Sequence, residues 1–236
     1  MGFKGDWSAA SSKIPDAFAM LKGSRIPAIV CEAGWTEGWE KLMEDTRLWL
    51  LCTKGQTKIV IVLSFIETKL GGDSVRGSRS ENDAADGSGQ TEEQAAINSI
   101  DPSTCQTDLA EILEQLDQQA KLQKPLIGDL KATLHFFRAS KDYKDIVKFF
   151  NSTVLPVPPS DSTAPRELQI ALHDIFGDDL PEGMDPQDPI TFSLHELEAQ
   201  VTGSLKNTTW YRAMQRAKML MEEAGVWEEK ETFTQS

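Results

Sequence analysis

No stretch of this 236-residue chain comes near the ~18 uninterrupted apolar residues that a membrane-spanning helix requires. The opening "MGFKGDWSAASSK" is polar and mixed, with no apolar signal core, so the expectation is an intracellular protein, cytoplasmic or nuclear. Cysteine is scarce. Cys31, Cys52 and Cys105 cannot all pair, and no CxxC spacing offers a thiolate zinc site, which fits free thiols in a reducing compartment. Histidine is as scarce, and His135, His173 and His195 lie too far apart for an HxxxH metal pair. Basic residues are outnumbered 24 to 37, for a net charge of −13. A field of that sign repels phosphate and excludes indiscriminate adhesion to nucleic acid. The deficit is uneven: residues 1–69 hold nine Lys/Arg against eight Asp/Glu, leaving 15 and 29 for the remainder. Only that near-neutral part could approach a polyanion, and with a metal's help.

What is present reads as α/β, or α+β. "KIPDAFAML" and "IPAIVCEAG" look like strands joined by a "KGS" turn. Thr36 can cap a helix in which Trp39, Leu42, Met43, Thr46, Trp49 and Leu50 share a face. "TKIVIVLSFIE" is the β-branched run of a buried strand. The order is strand, strand, helix, strand. Residues 70–103 lose their apolar content and read as a solvated acidic and Gly/Ser-rich linker. Structure resumes over 104–236. "DLAEILEQLDQQAKLQ" is an amphipathic helix, and "LKATLHFFRAS" a strand. "YKDIVKFFNSTVLPVPP" begins helix-like and ends extended, and "ELQIALHDIFG" is a strand running into a turn at Gly177. "TFSLHELEAQVTGSL" reads as a strand–helix transition or a single helix, and "TTWYRAMQRAKMLMEEAG" as a helix. Three segments follow: 1–69, 70–103 and 104–236, the last expected to pack on or extend the first.

Two acids stand out. Asp16 lies in the first strand, and Glu32 in the most apolar part of the second, where a carboxylate is costly unless it is paired or binds a metal. If the two strands pair, both acids reach one end of a sheet. Two carboxylates there form a hard oxygen site suited to Mg²⁺ or Mn²⁺, which offsets charge developing on a phosphodiester. A nearby lysine is the customary third member.

The ordered blocks Lys13-x-Pro15-Asp16, then Pro27, Val30, Glu32, Gly34, Trp35, Thr36 and Glu37, then Leu42, Asp45, Trp49 and Leu50, then Gly55, Lys58 and Val60 carry a resemblance. They are similar to a large set of uncharacterised fungal proteins and, through them, to the PD-(D/E)XK, or restriction-endonuclease-like, nuclease superfamily. The resemblance implies a core truncated before its first helix and first strand, with one exposed sheet edge open to a second copy. It implies a nuclease in which Asp16 and Glu32 hold Mg²⁺ (or Mn²⁺) and residues 1–69 meet the nucleic acid. The superfamily places a lysine two residues after its second acid, whereas Ala33-Gly34 follows Glu32 here. Lys41, one turn into the helix, and Lys58, on the next strand, are the candidates to replace it; Asp45 stands near where a helix-borne lysine is found in related bacterial proteins.

Plainer roles compete with each of these. Asp16 beside Pro15 suits a strand end hydrogen-bonded to backbone. Glu32 could pair with Lys13 or Arg25, and Asp45 with Arg47 or Lys41 on a solvated helix face. Trp35, Trp39 and Trp49 suit a core better than a base-stacking platform. Gly34 suits a bend after the strand. The two function classes are a metal-dependent phosphodiesterase and a nuclease-like fold without catalysis that serves binding or assembly.

Overall fold

The computed structural model describes residues 13–35, 38–68, 91–159, 166–177, 180 and 182–227. The chain forms two compact units, one from residues 1–67 and 130–200, the other from 68–129 and 201–236. Residues 130–200 supply further strands to the N-terminal unit.

The first unit holds a five-stranded sheet in the order β1 (Ala17–Ala19), β2 (Ile29–Gly34), β3 (Ile59–Thr68), β4 (Asp129–Ala139) and β5 (Ile146–Leu155). β1 runs antiparallel to β2, β2 parallel to β3, and β4 antiparallel to β5, so the sheet is mixed. The parallel β2–β3 pair is joined through α1 (Trp39–Cys52), giving the expected order strand, strand, helix, strand. β1 is an outer strand of three residues, all exposed.

α1 forms because Leu42, Thr46, Trp49 and Leu50 recur on one side and bury there with Val30, Val60, Val62 and Phe137. Its N-cap is Gly38, whereas Thr36 lies outside the described residues. Trp39 departs from the core face and is 43% exposed, its ring leaning on His135 and Phe137 of β4. The chain bends at Trp35, directly after Gly34, as expected, and Gly34 also serves close approach: a Cβ there would lie 2.9 Å from Leu42 Cδ1.

β5 is strand from its first residue, against the helix-like start expected at "YKDIVKFF". Pairing with β4 from Ala139↔Ile146 to Ala132↔Leu155 settles it, since tertiary partners outweigh local propensity. A second, two-stranded sheet joins β6 (Glu167–Ala171) to β7 (Pro189–Ser193) antiparallel. Between them the turn expected at Gly177 is preceded by a short helix, α4 (Leu172–Phe176). Phe136 of β4 meets Phe149 and Phe150 of β5 and Phe192 of β7 edge-on.

The second unit is helical. α2 (Glu92–Asn98) occupies part of the segment expected as linker; the Thr91 hydroxyl accepts from Gln94 N, capping its first turn. Residues 69–90 of that segment lie outside the described residues. α3 (Gln106–Gln118) buries Leu109, Ala110, Leu113 and Leu116. α5 (Leu194–Glu223) follows β7 directly, and its later turns contribute Ala213, Ala217 and Met221 to the α3 core. Buried Glu93 accepts from Arg216 and from Gln123 N, the latter at 2.7 Å, satisfying its charge.

Candidate functional site

The alternation of β2 explains where Glu32 goes. Val30, Glu32 and Gly34 are the buried positions that face α1, and only the middle one is charged. Glu32 is 3% exposed, and Trp49 Nε1 donates to its Oε1 at 2.6 Å. Asp45 stands one turn before Trp49 on α1, 14% exposed. Lys13, in the lead-in to β1, brings its ammonium to both acids, 2.7 Å from Asp45 Oδ2 and 3.6 Å from Glu32 Oε2. Burial raises the Glu32 pKa and outweighs the lowering by Trp49 and Lys13, while the charges of Asp45 and Asp16 raise it further. The neighbouring Cys31 thiol is pushed up to about 11, first by burial and then by Glu32 and Asp16.

Asp16 precedes the ladder Ala17↔Cys31, at the register position opposite Glu32. Its Oδ2 accepts from Ala33 N at 2.7 Å, so this carboxylate continues the β1–β2 pairing where β1 ends. The strands thus bring the two acids to one end of the sheet, each with a protein donor.

The two candidate lysines lie elsewhere. Lys58 precedes β3, four residues before Val62, the partner of Glu32, which separates them by about 13 Å along the strand. Lys41 is an exposed residue in the first turns of α1. The lysine that does reach the acids is Lys13, which sequence reasoning held only as an ion-pair partner. Its signal was present three residues before Asp16, in the same block.

The acids of the cluster already have protein partners. Glu32 is held by Trp49 and Lys13, and Asp16 by the Ala33 amide. Among the described residues no three His, Cys, Asp or Glu side chains form a group able to hold an ion.

No family model, no curated protein and no solved structure matches this chain.

A sizeable cavity of the sheet unit lies away from the carboxylates. About 800 Å³ in volume, it lies beside Lys22, Lys54, Gly55 and Lys58, at the opposite end of the parallel strands. No helix among the described residues is long and apolar enough to cross a membrane.

Proposed function

We propose that residues 13–68 are a nuclease-like core of the PD-(D/E)XK kind whose acid cluster is closed by its own lysine, and that the chain works as a binding or assembly module rather than a hydrolase. The nuclease-like reading is supported by the strand, strand, helix, strand order and by two acids at one end of a paired β1–β2. The observation that carries the loss of catalysis is Lys13: its ammonium lies against both Asp45 and Glu32, so one of the two acids of the cluster already has a cation beside it. A fixed internal cation neutralises buried carboxylates without leaving exchangeable positions for water or a phosphodiester.

A second reading keeps phosphodiester hydrolysis, with nucleic acid approaching residues 1–69 and Mg²⁺ (or Mn²⁺) as cofactor. It is favoured by the composition of the cluster, since Asp16, Glu32 and an ammonium 3.6 Å from Glu32 are the residue types such nucleases use. One experiment separates the two. The full chain is incubated with single-stranded and duplex DNA and with RNA, in Mg²⁺ and in Mn²⁺. The binding-module reading expects no cleavage above the level of Asp16→Asn, Glu32→Gln and Lys13→Met. Metal-dependent cleavage that disappears in all three variants selects the hydrolase.

A further inference from the structure

The carboxylate cluster does not account for the concentration of positive charge at the other end of the sheet. Three cavities of about 800, 460 and 140 Å³ share Lys58 as a lining residue. Lys22 and Lys54 line the first, Lys141 the second, and Arg138 the second and third. Among the described lining residues the only acid is Asp174, so five cations face one carboxylate in a chain of net charge −13. Asp178 and Asp179 lie outside the described residues. None of the five cations forms an ion pair among the described residues. Lys58 is half-buried, with Nζ turned toward Gly177, 3.8 Å from where a Cβ would stand.

Lys54 alone has a simpler explanation, because a cation after the last turn of α1 complements that helix's terminal carbonyls. Lys58, just before β3, and Arg138, on β4, follow no helix end and have no such role. Arg138 is held over the Phe149 ring at 5.3 Å, which fixes its guanidinium on the groove wall. The backbone of the rim is also unusual. Lys54 and Tyr143 have φ of 56° and 54°, two of the three non-glycine residues in the left-handed region among the described residues, and a Cβ on Gly55 would meet Tyr143 Oη at 2.7 Å. Strained residues gathered at a cavity persist where the surroundings hold them, as at ligand sites.

We propose that this groove binds a small ligand carrying two or more phosphate groups. Unpaired lysines and an arginine beside a cavity of this size supply charge-assisted donors for several phosphate oxygens. The size of the first cavity suits a nucleotide-sized molecule. The −13 charge favours a short polyanion over a long one, because every added phosphate outside the groove meets a repelling field. The site is independent of the acid cluster and stands whether or not that cluster hydrolyses anything.

The test is calorimetric titration of the full chain at low salt with tripolyphosphate, alongside orthophosphate and a single-stranded oligonucleotide. The expected result is saturable one-to-one binding of tripolyphosphate, tighter than orthophosphate and weakening with added salt. Lys58→Gln and Arg138→Gln each raise Kd about tenfold or more. Lys206→Gln, an exposed lysine of α5, and Asp16→Asn leave it unchanged. Circular dichroism of each variant confirms folding; should Lys58→Gln not fold, Arg138→Gln and Lys141→Gln decide. The proposal is overturned by absence of saturable tripolyphosphate binding, by equal weakening in Lys206→Gln, or by oligonucleotide binding without tripolyphosphate binding.

Discussion

Glu32 is a buried carboxylate whose three companions pull its proton affinity in different directions. Burial dominates and the folded pKa stands above the ordinary 4.5. A carboxyl with a raised folded pKa adds stability that is complete below its unfolded value and is lost as pH rises through the folded one. Thermal melts of Glu32→Gln between about pH 4 and 8 should therefore lack that part of the decline. The amide oxygen can still accept from Trp49, and Lys13 keeps Asp45. Trp49→Phe acts the other way: it removes the donor from a buried charge and should destabilise by about 2 kcal/mol in denaturant unfolding. His135 gives a trend of opposite sign. Burial, and secondarily Lys148, lowers its pKa from 6.5 to about 4, so its contribution is complete above 6.5 and lost as pH falls toward about 4. His135→Gln should flatten that acid-side loss. Glu32 was legible in sequence as an acid out of place among apolar neighbours. Of its partners Lys13 was readable as an ion-pair candidate, whereas Asp45 and Trp49 were not, because they meet it only once α1 folds over β2.

At the scale of elements, α1 is the part on which the site depends. It lies close on β2 because Gly34 leaves room for Leu42, and it presents Asp45 and Trp49 from one face. Gly34→Ala places a methyl 2.9 Å from Leu42 Cδ1, the end of a flexible side chain, so the expected cost is about 1 kcal/mol with a shift of α1. A drop several times larger in the denaturation midpoint would mean that α1 cannot move. The α1 and β3 signals were readable because each repeats a single period, 3.6 in one and a continuous β-branched run in the other. β5 was misread from "YKDIVKFF", where apolar spacing fits either period and only pairing with β4 chooses. α2 was missed because seven residues with one isoleucine have no apolar face to recognise; its Thr91 cap was the available sign.

At the scale of the whole molecule, two cores are built from different stretches of chain. One gathers Val30, Trp49, Val60, Val62 and Phe137, the other Leu109, Leu113, Ala213 and Ala217. Leu113→Ala should cost about 2–5 kcal/mol within the helical unit. Hydrogen exchange is then expected to accelerate in α3 and the later turns of α5 while β2 and β3 amides keep their protection. Uniform acceleration would show that the units unfold as one. Composition marks where apolar content falls away, but which later strands join the N-terminal unit is set by long-range pairing, which composition does not encode and which draws in β4 and β5.

The account rests on Lys13 acting as the resident cation of the acid cluster, and titrating Mn²⁺ into the full chain by calorimetry tests this most directly. The predicted result is no saturable site sensitive to Asp16→Asn or Glu32→Gln, with loss of stability in Lys13→Met. A saturable Mn²⁺ site in the unmodified protein that both acid variants abolish would contradict it.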